Sequence, residues 1–336
     1  MRTLVLAPFS AEGLDSLDAL GGVTCEPWTQ TQRLFDPEEL GARLQDEGFD
    51  AVVVEADFLF DELFTSAPRL RAAAICRAAL NQVDLEAATE AGVVVLHTPG
   101  RNAQAVAELV LSHAFALARR AHPAAAYVRE GRWDDPTDAY TRFAGRELAG
   151  GTLGVIGLGD IGRRVARLGR AVGMRVLAHD PYVRPGARGT AGVSLVSLDV
   201  LLTDSDVVSI HVPDNEATAG LLDARRIGLM PPGALVVNVT APGVVDTVAL
   251  AAALRSGALG GAALDVHEAH PIPPDAPLLA LAREGLNVVL TPHIGGATAE
   301  TVARHSRMVA EDLTRLEAGL RPRLMANRAV WARRRR

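Results

Sequence analysis

The stretch that decides the fold runs from Gly151 to Asp180 and reads GTLGVIGLGDIGRRVARLGRAVGMRVLAHD. Residues 152–156 have the short apolar pattern of a buried strand, and three glycines follow as GxGxxG at positions Gly157, Gly159 and Gly162. Apolar residues then recur with helical period over 161–172, and the apolar run 175–179 ends at Asp180. The pattern predicts a strand, a glycine turn, a helix and a second strand, in that order.

The order of these elements predicts a dinucleotide-binding site. In such sites the first glycine makes the tight turn, the second admits a pyrophosphate, and the third lets the helix pack on the strand. The helix N-terminus then receives the phosphates. Asp180, eighteen residues after Gly162, is placed to hold both ribose hydroxyls and to repel a 2′-phosphate. The sequence therefore predicts NAD as the cofactor, in preference to NADP.

Composition limits the class of protein around that stretch. A chain of 336 residues is long for one core, so two domains are expected, and a net charge of -6 argues against nucleic acid or an anionic membrane as a partner. The opening residues are too short for a signal peptide, and no run is long enough for a membrane span. The two cysteines, Cys25 and Cys76, form neither a disulfide framework nor a metal cluster, which predicts a cytoplasmic protein. Lysine is absent, so a Schiff-base mechanism is excluded.

Short apolar runs alternate with helical patterns along the rest of the chain. The predicted strands cover residues 3–6, 51–54, 72–75, 93–96, 207–212, 234–238, 261–266 and 288–290. The predicted helices cover 14–20, 37–45, 61–65, 85–90, 103–120, 247–255 and 299–318, with Asp36 and Asp246 as N-caps. This alternation predicts an α/β fold with two doubly wound parallel sheets and a site in the cleft at the carboxyl ends of the strands.

Residues 122–146 show no regular pattern and are polar. We expect a surface loop or a dimerisation arm here, because Trp133 and Tyr140 are costly to leave in water.

Seven segments in the expected order carry a resemblance to a known family. They are NQVDLEAATEAGV (81–93), GRNAQAVAELVLSHAFALARR (100–120), VREGRWDD (128–135), ELAGGTLGVIGLGDIG (147–162), HVPDNEATAGLL (211–222), GAALDVHEAHPIPPDAPLL (261–279) and LTPHIGGAT (290–298). Together they resemble the D-isomer-specific 2-hydroxyacid dehydrogenases, the group that includes 3-phosphoglycerate dehydrogenase. The resemblance implies a flavodoxin-like substrate domain (1–98 and 297–330), a Rossmann NAD domain (99–296), a homodimer formed through the NAD domain, and a small-molecule substrate.

The resemblance also implies the site residues. The family's cofactor contacts fall on Gly157, Gly159, Asp160, Ile161, Gly162, Asp180, His211, Val212, Pro213, Thr218, Thr240, Asp265, His293 and Gly295. Asp265 would help to hold the nicotinamide, and His293 in TPHIGG would be the general acid and base, a role that suits histidine because it titrates near neutral pH. Ala79, Arg101 and Asn102 would face the substrate.

Three positions depart from the family's pattern. The family's NxARGGxVD segment supplies an arginine that binds the substrate carboxylate, but residues 238–246 read NVTAPGVVD and place Ala241 there. Pro242 fixes φ and removes an N–H, so the loop itself is expected to be rebuilt. His270 takes the place of the glutamate that pairs with the catalytic histidine, and Ala79 takes that of the substrate-loop glycine.

The lost arginine would have supplied two charge-assisted hydrogen bonds of roughly 1.5–3 kcal/mol each. Its absence is expected to slow ordinary 2-oxo acid turnover on the order of 10²- to 10⁴-fold. The cations that could compensate are Arg77, Arg101 and Arg132.

Three functions remain open at this point. An NAD-dependent oxidoreductase acting on a small, atypical hydroxy or oxo substrate is favoured, because His293, Asp265 and the glycine turn are all present. A catalytically weak NAD(H)-binding regulatory protein, or a non-redox enzyme using His270 and His293, would also account for the missing arginine. His267, His270 and His293 could ligate a metal, but only Glu268 could add an acidic ligand, and we expect no metal site.

Overall fold

The computed structural model describes residues 1–187 and 189–335 of the chain. Within them the chain forms two compact units, one made of Met1–Arg101 with the described residues from Ala297 onward, and one made of Asn102–Gly296. The sequence analysis placed the first border after residue 98, whereas the unit border follows Arg101. The chain turns at residues 99–102 before the next helix begins at Ala103.

The strands are numbered along the chain. In the first unit they are β1 (Thr3–Val5), β2 (Val23–Cys25), β3 (Ala51–Val54), β4 (Ala72–Ile75) and β5 (Val94–His97). In the second unit they are β6 (Thr152–Ile156), β7 (Arg175–His179), β8 (Ser194–Leu195), β9 (Val207–Ile210), β10 (Ala234–Asn238), β11 (Leu259–Leu264) and β12 (Val288–Leu290). The short strands β2 and β8 were not predicted, because each is an edge strand with polar, half-buried or exposed positions and no apolar run.

All strand pairs in both sheets are parallel. The first sheet has the order β2-β1-β3-β4-β5, which is the flavodoxin-like order. The second has the order β12-β11-β10-β9-β6-β7-β8, a Rossmann sheet with one additional strand. The prediction of two doubly wound parallel sheets is therefore confirmed.

The helices are numbered in the same way. They are α1 (Ala11–Asp18), α2 (Trp28–Thr31), α3 (Pro37–Asp46), α4 (Asp61–Ser66), α5 (Leu85–Glu90), α6 (Ala103–Ala118), α7 (Ala121–Arg129), α8 (Pro136–Arg142), α9 (Asp160–Ala171), α10 (Leu198–Asp204), α11 (Ala224–Ile227), α12 (Thr247–Arg255), α13 (Pro277–Arg283) and α14 (Ala299–Glu317). Asp36 and Asp246 cap α3 and α12 by accepting hydrogen bonds from backbone N–H groups of the first turn, as predicted.

The prediction of an irregular segment over 122–146 was wrong, because this stretch contains helices α7 and α8. Asp135 caps α8 and Pro136 occupies its first turn, a combination that favours a helix start. The buried Tyr127 of α7 packs against Phe143 at a ring-centre distance of 5.3 Å. Trp133 and Tyr140 remain 57% and 85% exposed, so both present apolar surface to solvent in this chain.

The core of the second unit lies on both faces of its sheet. Along β10, Val236 packs into one apolar cluster, while Leu235 and Val237 pack into another. A parallel sheet buried on both faces leaves the loops at the strand ends to carry the polar chemistry. None of the helices in the described residues combines the length and apolarity needed to cross a bilayer.

Candidate functional site

The glycine turn after β6 has a different steric requirement at each glycine. Gly157 has a φ of 89°, and a Cβ there would lie 2.6 Å from the carbonyl oxygen of His211. A Cβ on Gly162 would lie 2.0 Å from the carbonyl oxygen of Gly157. At Gly159 a Cβ would meet nothing within 4 Å. The first and third glycines are therefore required by the protein itself, whereas the second leaves open space over the turn.

Helix α9 begins directly after this open glycine. Gly159 is its N-cap and gives no side-chain hydrogen bond, so the first-turn N–H groups are available to an anion. Ile161 packs against the core, while the Asp160 carboxylate lies 3.7 Å from the guanidinium of Arg164. These features fit the pyrophosphate of a dinucleotide.

The Asp180 carboxylate lies against the same turn. Its Oδ2 accepts a hydrogen bond from the Leu158 N–H at 2.8 Å, and its Oδ1 accepts one from the Tyr182 N–H at 2.9 Å. The acid at the end of β7 is thus fixed next to the glycine turn, where a carboxylate can hold ribose hydroxyls.

The loop after β9 lies beside β6, at the switch point of the sheet. The His211 N–H donates to the carbonyl of Ile156 at 2.7 Å, and Gly157 leaves room for the His211 carbonyl. Val212 is half-buried and Pro213 is exposed. The Thr218 hydroxyl donates to the Pro213 carbonyl at 2.6 Å and closes the loop. Ligands of doubly wound sheets bind at such a switch point.

The His211 ring is held as a neutral imidazole. Its Nε2 lies 2.7 Å from Oγ of Ser209, and its Nδ1 is buried without a hydrogen-bond partner among the described residues. Burial lowers the pKa of His211 from 6.5 to about 3. The ring therefore adds no positive charge to the cofactor side of the sheet.

This buried ring makes stability depend on pH. Between pH 6.5 and 3 the unfolded chain binds a proton at position 211 that the folded chain does not, so the free energy of unfolding falls as the pH is lowered through this window. The expected slope from this residue is about 1.4 kcal/mol per pH unit. Urea unfolding of the native chain and of His211→Gln from pH 7 to 4.5 should give a shallower slope for the variant. The exposed His122→Gln is the control, and equal slopes for the two histidine variants would contradict the assignment.

The loop at the end of β10 is tied down by its own side chains. Asn238 Nδ2 donates to the Ala241 carbonyl at 2.8 Å, and its Oδ1 accepts from the Thr240 and Ala241 N–H groups at 3.4 Å. The Thr240 hydroxyl donates to the Ile210 carbonyl at 2.8 Å. This loop is therefore bound to the end of the neighbouring strand β9.

Ala241 itself is fully buried and belongs to an apolar cluster of the second unit. A short 3-10 helix, Pro242–Val244, follows it. Within that helix the Gly243 N–H donates to the Asp214 carboxylate at 3.1 Å. Position 241 therefore offers a buried methyl group and no cation, and the exposed Asp214 carboxylate from the loop after β9 lies against the next residues of this segment.

The turn that carries His293 is organised by Asp265. This buried carboxylate accepts hydrogen bonds from the Thr291 hydroxyl at 2.6 Å, the Ile294 N–H at 2.9 Å and the Gly295 N–H at 2.7 Å. His293 has a φ of 58°, a left-handed conformation that a non-glycine residue rarely adopts. Three hydrogen bonds to one carboxylate offset the cost of that conformation and hold the backbone on either side of His293.

Two further histidines support the same turn through Thr291. His267 Nε2 lies 2.9 Å from the Thr291 carbonyl oxygen, and His113 Nε2 lies 3.4 Å from its hydroxyl. Burial lowers the pKa of His113, and the nearby Asp265 opposes this shift. The sequence analysis missed Thr291, His113 and Asn238. Thr291 could have been found as a hydroxyl residue two positions before His293, and Asn238 as a polar residue at the end of a predicted strand.

His270 and His293 lie side by side at the surface of the second unit. Their ring centres are 5.8 Å apart, and the ring of His267 lies 6.2 Å from that of His270. The structure therefore places His270 next to the candidate acid and base. Over residues 1–187 and 189–335, no group of three or more His, Cys, Asp or Glu side chains could hold a metal ion.

The residues expected to face the substrate are divided between the units. Ala79 is exposed in the loop after β4, and Arg101 is the last residue of the first unit. Arg101 forms an ion pair with Glu55 at 2.5 Å and donates to His305 Nδ1 at 2.8 Å. Asn102 is the first residue of the second unit and the N-cap of α6.

The three arginines that could compensate for Ala241 differ in their partners. Arg101 is already neutralised by Glu55, and the exposed Arg132 pairs with Glu130 at 2.7 Å. Arg77, after β4, donates to the Gln82 side chain at 3.3 Å and has no carboxylate within 4 Å among the described residues. Arg77 is therefore the best placed of the three to bind an anion.

Comparison with known proteins gives a consistent result. Residues 111–295 match the family model for the D-isomer specific 2-hydroxyacid dehydrogenase, NAD binding domain. A glyoxylate reductase of Korarchaeum cryptofilum is 39% identical over 269 residues, which cover 80% of each chain. A D-3-phosphoglycerate dehydrogenase of Archaeoglobus fulgidus is 37% identical over 328 residues, or 97% of this chain, and the match spans 59% of that longer protein.

A solved structure is similar over nearly the whole chain. The TT0316 protein of Thermus thermophilus superposes with a TM-score of 0.82 at 37% identity, covering 97% of this chain and 100% of the other. The chain belongs to the D-isomer-specific 2-hydroxyacid dehydrogenase family and carries that family's NAD-binding domain.

Proposed function

We propose that this protein transfers hydride between NAD(H) and a small hydroxy or oxo substrate that is bound without an arginine at position 241. The observation that carries the proposal is the Asp265 carboxylate, which holds His293 in a left-handed turn. A binding protein has no need for an imidazole held in this way. In this proposal the substrate domain consists of residues 1–98 and 297–330, and the NAD domain consists of residues 99–296.

Each part of the site has a defined task. The glycine turn and the N-terminus of α9 bind the pyrophosphate, and Asp180 binds the adenosine ribose. When bound, the nicotinamide supplies or accepts the hydride. His293 gives a proton to the substrate oxygen during reduction and removes it during oxidation. His270 flanks it where the family has a glutamate, so no permanent anion stabilises the imidazolium from that position.

The buried Ala241 makes an ordinary 2-oxo acid a poor substrate. Its methyl group makes no hydrogen bond, and the loop that carries it has its polar groups bound to Asn238 and Asp214. We therefore expect selection for substrates that lack the 2-carboxylate.

The experiment that tests the proposal is NADH oxidation, followed by absorbance, across 2-oxo acids, aldehydes, ketones and phosphorylated oxo acids. NADH binding is measured in parallel by calorimetry. Turnover of an oxo compound that lacks a 2-carboxylate, at a higher kcat/KM than any 2-oxo acid, is the expected result. Tight NADH binding without turnover of any compound would favour the regulatory alternative, which the buried Ala241 also allows.

Asp180 is expected to determine the preference for NADH over NADPH. Asp180→Asn keeps an oxygen that can accept from the Leu158 N–H but removes the negative charge that repels a 2′-phosphate. The ratio of the NADPH and NADH dissociation constants should fall about tenfold or more, as measured by fluorescence titration. Asp160→Asn removes a charge from the first turn of α9 and serves as the control. A ratio that changes equally in both variants would show that Asp180 does not read the ribose.

The proposal also includes a homodimer and a cytoplasmic location. The exposed Trp133 and Tyr140, next to and within α8, supply apolar surface that a second copy could cover. Sedimentation of the native chain and of Trp133→Ser with Tyr140→Ser tests this assembly. A monomer in both cases would contradict it.

A further inference from the structure

A cavity of about 290 Å³ lies in the second unit beneath the loop that follows β11. Its floor is apolar and includes Leu264, Ile272 and Leu278. Its polar lining comes mainly from His267, Glu268, Asp275 and Thr247. A cavity of this size, with an apolar floor and a few polar groups on one side, is suited to part of a small molecule.

The charges around this cavity have one sign. Glu268 and Asp275 are exposed, and neither has a hydrogen bond or an ion pair to another described residue. The segments after strands β9 to β12, residues 211–223, 239–246, 265–276 and 291–296, contain no arginine, and the chain has no lysine. Arg283 donates to the Pro274 carbonyl at 3.0 Å but does not line the cavity. The cavity therefore favours a cation over an anion.

The cavity shares its walls with the candidate catalytic loops. Pro242, which directly follows Ala241, lines it, and so does His267. His267 in turn begins the row of imidazoles that leads through His270 to His293, with ring centres 6.2 Å and 5.8 Å apart. This row of rings connects the candidate acid and base to the wall of the cavity within the second unit.

We propose that this cavity binds the ammonium-bearing end of an extended oxo substrate, with Glu268 and Asp275 as the counter-charges. The proposal rests on the proposed function and adds the substrate class. In the reduction, the hydride of NADH forms the new C–H bond at the oxo carbon, the C=O π bond becomes a C–O single bond, and His293 delivers the proton to oxygen. NADH becomes NAD⁺, and the ammonium group takes no part in the chemistry. An ammonium group and a negatively charged cavity make specificity a matter of charge as well as of shape.

A matched pair of aldehydes tests the selection by charge. 4-(Trimethylammonio)butanal and 5,5-dimethylhexanal have the same shape, but only the first carries a positive charge, and neither can cyclise. We expect kcat/KM for the charged aldehyde to exceed that for the neutral one by about tenfold at low salt, and the ratio to decrease with salt. Equal values, or a preference for the neutral aldehyde, would overturn the proposal.

Substitutions test whether Glu268 and Asp275 cause the preference for the charged aldehyde. In Glu268→Gln with Asp275→Asn the ratio of the two kcat/KM values should fall to about one. Glu311→Gln on α14, which removes a single negative charge from the other unit, should keep the native ratio. If the double variant keeps the native ratio as well, the cavity is not the ammonium site.

Calorimetry with hexyltrimethylammonium chloride separates this proposal from the proposed function. The native protein should bind this non-reducible cation in a saturable way, and the double variant about tenfold more weakly. Absence of saturable binding would overturn the ammonium site even if aldehydes are reduced. Saturable binding without turnover of any oxo compound would contradict the oxidoreductase and leave the ammonium site standing.

Discussion

Replacing His293 by asparagine is expected to lower kcat/KM for the oxo substrate by about 10²- to 10⁴-fold, the usual contribution of a positioned general acid or base. Asparagine is the appropriate replacement because it tolerates the left-handed backbone that this position requires. The hydrogen bonds that the Ile294 and Gly295 N–H groups donate to Asp265 should therefore persist. The decrease in kcat/KM would then reflect the loss of proton transfer and not a change in the fold.

NADH binding and thermal unfolding provide the controls for this variant. Both should match the native protein, because the glycine turn and Asp180 are unchanged. His122→Asn, on the exposed surface of α7, should retain full activity. A His293→Asn protein with native turnover would remove the imidazole from the mechanism.

The second large effect is expected at the glycine turn, where two neighbouring substitutions should have different consequences. Gly159→Ala should fold as the native protein does, because its φ is −73° and the added Cβ meets nothing within 4 Å. Its NADH affinity should fall by about 10²-fold, since the methyl group occupies the approach of the pyrophosphate to the backbone. Differential scanning calorimetry and NADH titration measure the two quantities.

Gly162→Ala should instead destabilise the fold, because its Cβ would lie 2.0 Å from the Gly157 carbonyl oxygen. The expected cost is about 3 kcal/mol or more, at the upper end for overpacking. Equal melting temperatures for both variants, or native NADH affinity in Gly159→Ala, would contradict the roles assigned to these glycines.

The part of the site that lies within one continuous stretch of sequence could be predicted from the spacing of its residues. The strand, the GxGxxG turn, α9 and Asp180 follow one another within a single stretch, Gly151 to Asp180, so their contacts are set by the chain itself. The caps Asp36 and Asp246 were predictable for the same reason. The helices α7 and α8 were missed because the polar residues between them obscured two short helical patterns.

The rest of the site depends on contacts between distant segments. The pairing of His267 with Thr291 and the Asp214–Gly243 hydrogen bond each join different strand-end loops. The cavity under the loop after β11 also forms only when that loop folds over Pro242 and Leu278. Residue types alone could identify these side chains as polar or apolar but not which of them meet.

The hydrogen bonds that hold the Ala241 loop also limit which substitutions this chain can accept. Asn238 holds the loop from one end and Asp214 from the other, and the Ala241 methyl group fills an apolar site. A single substitution of Ala241 by arginine would bring a guanidinium into that site without a partner, at a cost of several kcal/mol. A cation at this position would therefore require the surrounding loop to change first, so the present loop restricts which new substrate contacts a single substitution could create.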